Sequence, residues 1–171
     1  MRLFFALWPD DASQQHWLYA TDTFIKALGG KPQPASNLHL TLHFLGEVDG
    51  SRVNTLTQLG NDAAAETIAL RFNRIECWHK ADIACLRPDN DPPALSQLVS
   101  TLAIGLKRAG FALEKHQFKS HVTLARHLTH HEPALPLWPV LQWQADTLAL
   151  VRSRLTPNGA VYSPIAQWPL T

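Results

Sequence analysis

Cysteine is scarce. The chain of 171 residues has only two, Cys77 and Cys85. That rules out a disulfide framework or a zinc ribbon. A hairpin turning at Lys80-Ala81-Asp82 would set Cys77 opposite Cys85, where the expectation is two buried thiols packing as small hydrophobes. Excess charge is also missing, since the formal net charge is +1 with histidines neutral. Broad contact with duplex phosphates calls for a basic face or stripe, and no such surplus exists. A few local cations could still capture one strand end. Long apolar runs are absent as well. The opening Met1–Pro9 carries Arg2 and is too short for a membrane span or a secretory h-region. A soluble, cytoplasmic protein is expected.

An apolar fraction of 46% is ordinary for a globular domain, and the length suits one compact unit, residues 1–171. Arg2–Trp8 reads as a buried strand, and Pro9-Asp10 ends it and opens a helix. Trp17, Leu18, Thr21, Phe24, Ile25 and Leu28 share one helical face, with Gly29-Gly30 as the stop. After the turn-rich Lys31–Asn37, the segment Leu38–Gly46 alternates as a strand. A second helix is predicted from near Ser51 to Ala65. Ile68–Arg87 reads as two strands around a tight turn. Asp91 looks like an N-cap with Pro92 at the first helical position, and Leu95, Leu98, Val99, Leu102 and Leu106 form the stripe closed by Gly110. His116–Arg126 reads as a strand, and His130–Pro139, with three prolines, as a loop. Leu141–Leu155 and Ala160–Trp168 supply the last strands, turning at Pro157-Asn158-Gly159. Short loops favour antiparallel pairing. Twice a helix ending in glycine leads through a connector into a His-x-Thr strand. The fold class is therefore α+β with two similar halves.

Histidine is abundant, at nine residues. Two of them open matched motifs, His39-Leu40-Thr41-Leu42 and His121-Val122-Thr123-Leu124. Composition alone predicts about 0.6 His-x-Thr triplets, and about 0.13 with apolar residues at the second and fourth positions, so two such motifs are a strong signal. A third triplet, His127-Leu128-Thr129, lacks the apolar backing because His130 follows it. In a strand, residues two apart share a face, so each motif presents an imidazole beside a hydroxyl and anchors itself with two apolar residues. Histidine serves as acid or base near neutrality, and threonine hydroxyls can hold negative oxygens. The pattern suits opening of a cyclic phosphodiester: a base takes a proton from water and an acid gives one to the leaving sugar oxygen.

The flanks extend the pattern. Asn37-Leu38-His39-Leu40-Thr41-Leu42 with Phe44-Leu45-Gly46, and His121-Val122-Thr123-Leu124 with Arg126, resemble the two-histidine (2H) phosphoesterases, in particular the bacterial RNA 2′,3′-cyclic phosphodiesterases once called 2′-5′ RNA ligases. Arg2-Leu3-Phe4-Phe5-Ala6 and Tyr162-Ser163-Pro164 with Trp168 match too, so the likeness spans nearly the whole chain. Ser120 departs from it, standing where relatives often carry proline. The resemblance implies a two-lobed, pseudo-twofold arrangement of antiparallel sheets with helices outside and a central cleft. It implies metal-independent hydrolysis with no cofactor, leaving a 2′-phosphate, with His39 as proton donor and His121 as proton acceptor. Thr41 and Thr123 would bind the phosphate, and Arg126 with them, although its parity in a regular strand is wrong and a bulge would be needed.

The remaining candidates read more blandly. His43 has the parity to flank His39 at the cleft rim. His127, His130 and His131 lack a carboxylate or thiolate at metal-binding spacing and read as a solvated loop. Lys119, Arg152 and Arg154 read as solvated charge, and the six tryptophans as packing. The expected partner is RNA with a 2′,3′-cyclic phosphate end, bound by a monomer. Alternatives are a phosphodiesterase for a small cyclic nucleotide, a non-catalytic RNA-end binding module, a metal-dependent hydrolase, and joining of ends through a 2′-5′ bond. No G-x-x-x-x-G-K-[ST] loop is present, which argues against nucleotide-driven ligation.

Overall fold

The computed structural model describes residues 1–63 and 65–171. Strand β1 (Arg2–Leu7) leads into α1 (Asp11–Leu28). Asp10 caps that helix, its side chain accepting the Ser13 amide at 2.8 Å. Gly29 ends it at φ 64°, a left-handed conformation that a side chain disfavours, and any Cβ there would strike Thr129. Short β2 (Lys31–Pro32), β3 (Leu40–Glu47) and α2 (Val53–Asp62) follow. The helix expected over 51–65 is thus confined to its middle; position 64 lies outside the described residues. Next come β4 (Ile68–Trp78), β5 (Ile83–Pro88) and α3 (Pro93–Arg108), then β6 (Val122–Arg126), β7 (Ala134–Ala145), β8 (Thr147–Thr156) and β9 (Gly159–Pro169).

The strands form one antiparallel sheet in the order β7-β4-β5-β6-β3-β1-β8-β9, with β2 added beside β6. Outward from the middle, β6-β5-β4-β7 repeats β3-β1-β8-β9. The unit β1-α1-β3 recurs as β5-α3-β6, which is the internal symmetry legible in the sequence. The two halves meet between β3 and β6 through one residue pair among the described residues, Leu40 opposite Val122.

All three helices pack on one face. Leu3, Phe5, Leu7, Leu40, Leu42, Val122, Leu124, Leu148 and Leu150 join Trp17, Ile25, Leu56, Leu98, Leu102 and Leu106 in one buried core. Helix α1 leaves the first half and packs on the second, with Trp17 edge-on against Phe72 of β4 and Trp143 of β7 at 5.6 and 5.0 Å between ring centroids. Helix α3 leaves the second half and packs against β3 and α2. Each half is therefore covered partly by the other's helix. The opposite face holds a small apolar cluster of Phe4, Ala6, Ala149 and Val151, overlaid by Trp8, Phe44 and Tyr162.

Several local expectations change. Cys77 pairs with Ala84, and Cys85 with Glu76, so the thiols lie on opposite faces of the hairpin. Both are buried, and burial pushes the Cys85 thiol up to about 12. Within His130–Pro139, strand β7 already begins at Ala134, and Pro136 pairs with Arg74. Proline is tolerated there because β7 is an edge strand. Helix α3 takes Pro92 as its N-cap, and Asp91 instead accepts the Ser120 hydroxyl. The strand expected from His116 starts only at Val122.

Trp17 is 1% exposed and bridges the two halves. Trp17→Ala should lower unfolding free energy by about 3–5 kcal/mol in a urea titration. A loss below about 1 kcal/mol would mean that α1 does not staple the halves together.

Candidate active site

Leu40, Leu42, Val122 and Leu124 point into the helix-side core. Alternation therefore turns His39, Thr41, His121 and Thr123 to the other face. Continuing the antiparallel register one step from Leu40–Val122 sets His39 opposite Thr123 and Thr41 opposite His121. The register thus places each histidine across the waist from the threonine of the other motif.

Both motifs carry a bulge at their fourth residue. Pairing of β1 with β3 runs from Ala6–Thr41 to Phe5–His43 and skips Leu42. Pairing of β5 with β6 runs from Cys85–Thr123 to Ala84–Ala125 and skips Leu124. A bulge reverses the side-chain alternation that follows it. His43 consequently turns away from His39, and its ring bonds the Val99 carbonyl of α3 at 2.8 Å from Nε2, which corrects its expected parity. Phe44 and Arg126, one residue further on, return to the site face. Arg126 reaches the cleft by the bulge its assignment required.

The two imidazoles are held alike. His39 Nδ1 donates to the Asn37 carbonyl at 2.6 Å, and His121 Nδ1 donates to the Lys119 carbonyl at 2.7 Å. A carbonyl only accepts, so both Nε2 atoms carry the lone pair in the neutral rings. The Thr41 hydroxyl donates to His39 Nε2 at 2.9 Å. Asn37 also clamps β9, its Nδ2 donating to the Ala160 carbonyl at 2.7 Å while its Oδ1 accepts the Tyr162 amide at 3.3 Å.

Their surroundings differ. His39 stacks on Phe4 and Trp8, at 4.9 and 5.5 Å, and meets the edge of Tyr162 at 5.1 Å. His121 packs against Trp78 at 4.5 Å. Trp78 Nε1 donates to Glu76 at 2.9 Å, and Glu76 pairs with Arg74 at 2.9 Å and Arg87 at 3.3 Å. Arg87 also bonds the Ser120 carbonyl, next to His121. One imidazole lies in an aromatic box, the other beside an ion network.

Burial lowers the pKa of His39 to about 4, helped by His121 and Arg126 and opposed by the bond to Asn37. Burial also lowers that of His121, as do Arg87 and Arg126, against the bond to Lys119 and the Glu76 carboxylate. Both rings are neutral at pH 7.

A cavity of about 1110 Å³ takes in His39, Thr41, His121, Thr123 and Arg126 together, with Asn37, Trp78, Tyr162 and Lys107 also on its wall. All five residues expected from the sequence are brought together. Asn37 was visible only as a flank of its motif. Trp78, Glu76 and Arg87 come from the β4–β5 hairpin and have no local signature. In the histidine cluster His127 and His130 are exposed, while His131 bonds Asp82 at 3.2 Å, and Asp82 also accepts the Leu128 amide. Thr129 of the third triplet donates to the Leu28 carbonyl. Among the described residues, no group of three or more His, Cys, Asp or Glu side chains is arranged to hold a metal ion. No described helix is long and apolar enough to cross a membrane.

Two His-x-Thr strands joined at the waist of a pseudo-twofold α+β sheet, with both imidazoles in one cleft, match the arrangement expected of a two-histidine phosphoesterase. The LigT like Phosphoesterase family profile matches residues 8–83, which include the first motif. The RNA 2′,3′-cyclic phosphodiesterase of Escherichia coli strain K12 is 29% identical, covering 99% of this chain and 97% of its own. That of Thermus thermophilus is also 29% identical, covering 99% and 90%. The crystal structure of E. coli LigT complexed with 3′-AMP superposes with a TM-score of 0.89 at 26% identity, over 99% of this chain and 98% of that one. The chain is thus similar to the LigT-like phosphoesterases over nearly its whole length.

The lowered pKa of His39 has a definite sign in stability. An unfolded histidine titrates near 6.5, whereas the folded ring resists protonation until about 4. Its contribution is complete above the unfolded pKa and falls as pH drops from 6.5 toward 4. Imidazole NMR should find His39 titrating well below 6, and His39→Gln should flatten the loss of urea stability across that range. A His39 midpoint at or above 6.5 would contradict the desolvation of the ring among Phe4, Trp8 and Tyr162.

Proposed function

We propose that the protein opens a 2′,3′-cyclic phosphate at the end of an RNA strand, leaving a 2′-phosphate and a 3′-hydroxyl. Water attacks phosphorus as His121 Nε2 takes its proton. The bond from phosphorus to the 3′ oxygen breaks as His39 donates a proton to that oxygen. Thr41, Thr123 and Arg126 hold the non-bridging oxygens, where negative charge must be stabilised. No metal is assigned a step.

The observation that carries this reading is the contrast around two identically held imidazoles. His121 has a carboxylate, Glu76, acting on it that partly offsets the larger opposing effects of Arg87 and Arg126, whereas no carboxylate acts on His39. His39 sits in an aromatic box that disfavours its charged form, so once protonated it is a strong donor. Separated environments of this kind divide acid from base. The curated relatives named as RNA 2′,3′-cyclic phosphodiesterases, matched over nearly their whole length, support the substrate class. Residues 1–171 would act as one unit, as a monomer in the cytoplasm. With a 5′-hydroxyl attacking phosphorus in place of water, the same groups would join it to the cyclic end through a 2′-5′ bond as the 3′ oxygen leaves.

With EDTA present, the protein should convert a short RNA ending in a 2′,3′-cyclic phosphate to the 2′-phosphate form. His39→Ala and His121→Ala should each lower the rate by at least about 10²-fold, and Arg126→Ala by a smaller factor. Binding of that RNA without turnover would support a binding module instead, and loss of activity with EDTA a metal-dependent hydrolase.

Both imidazoles titrate low in the free protein, yet the donor must be protonated. The kcat/KM should therefore fall about tenfold per pH unit above about 6.5. A flat profile from pH 6 to 8 would remove the proton donor from the mechanism.

A further inference from the structure

The two sides of the waist are not equivalent. Beyond Thr123, the free edge of β6 is occupied by the chain itself. Lys31 and Pro32 pair with Arg126 and Ala125, and the Gln33 amide donates to the Leu124 carbonyl at 2.8 Å. Beyond Thr41, the corresponding edge of β3 has no such cover among the described residues. Residues 112–119, which symmetry would lay along it, make no backbone hydrogen bond to β3 among the described residues. The cavity extends into this gap, reaching Leu42, His43, Val99, Ala103 and Lys107 on one side and residues 113–119 on the other.

The gap is anchored at both ends. Arg52 lies 3.8 Å from the Phe111 ring centroid and bonds the Ala109 carbonyl. Leu113 and Phe118 pack on the core. Ser120 is held by Arg87 through its carbonyl and by Asp91 through its hydroxyl. What remains free is charge. Lys107, Lys115 and Lys119 line the arm against one acid, Glu114, in a chain whose net charge is only +1. Among the described residues none of the three lysines forms an ion pair. All three are exposed, as ammonium groups that meet a mobile phosphate need to be. The whole cavity, about 1110 Å³, exceeds the range of about 300–1,000 Å³ that encloses one small ligand.

We infer that this arm between β3 and residues 112–119 is a subsite for the RNA backbone upstream of the cyclic end, with Lys107 and Lys115 binding its internucleotide phosphates. The inference rests on the phosphodiesterase reading and deepens it. The substrate class becomes a strand with at least one further phosphate, rather than a lone cyclic nucleotide. Local concentration of cations reconciles a nearly neutral protein with a polyanionic substrate.

The test compares the full chain on a mononucleoside 2′,3′-cyclic phosphate and on a trinucleotide with the same cyclic end. At low salt the trinucleotide should have the higher kcat/KM, by about tenfold or more. Its log kcat/KM should fall more steeply with log salt, by about 0.7 for each internucleotide phosphate engaged. Lys107→Ala combined with Lys115→Ala should abolish the length advantage and the extra salt slope, while mononucleotide turnover stays within about twofold. Equal kcat/KM and equal salt slopes for the two substrates, or a double variant that keeps the advantage, would overturn the subsite alone. No turnover of either substrate would overturn the phosphodiesterase reading and the subsite with it.

Discussion

Between β3 and β6 the whole sheet narrows to the backbone pair of Leu40 and Val122. Everything at the site follows from that contact. It is the step that brings residues about eighty positions apart into one antiparallel register, and it lies immediately after both histidines. Moving the register by one residue would turn both motifs inside out, burying imidazoles and exposing leucines. The core opposes any such slip, because Leu40, Leu42, Val122 and Leu124 are all seated among the helices. So one hydrogen-bonded step is secured by side chains on its far face, with α1 and α3 each crossing to cover the other half.

The bulges at Leu42 and Leu124 are the second device. Without them, a pleated strand would present every second residue indefinitely, and Arg126 would point into the core. A single unpaired residue in each motif keeps both leucines buried and brings Phe44 and Arg126 back to the cleft. The symmetry of the backbone is then broken by chemistry. At equivalent positions one half offers a benzyl group and the other a guanidinium.

The same division runs through the walls of the site. Around His39 the sheet supplies Phe4, Trp8 and Tyr162, which desolvate the ring without offering countercharge. Around His121 it supplies Trp78 backed by Glu76, Arg74 and Arg87. The two imidazoles therefore share a tautomer but not a setting. The open edge of β3 and the covered edge of β6 extend that asymmetry from the reacting atoms to the space beyond them.

Much of this was legible in the chain. Period-two alternation around His39 and His121 fixed which side chains share a face, and helical spacing from Trp17 to Leu28 and from Leu95 to Leu106 gave the buried stripes, because both are local consequences of backbone geometry. Pairs separated by long stretches of chain were not legible. The Cys77 and Cys85 register slipped by one, Pro136 sat in a strand rather than a loop, and His43 turned the other way, each because a partner strand or a bulge decided the outcome. Arg126 is the clearest case. Its sequence position put it near the motif, but only the skipped pairing at Leu124 aims it at the histidines. Trp78, Glu76 and Arg87 carry no local mark at all, since their role consists in lying beneath a residue from another strand. The sequence by itself determined the three helices, most of the strands, the two His-x-Thr motifs and the face each would show. The tertiary structure alone decided that the motifs meet, that their environments differ and that one edge stays open, because desolvation and charge depend on distance in space rather than along the chain.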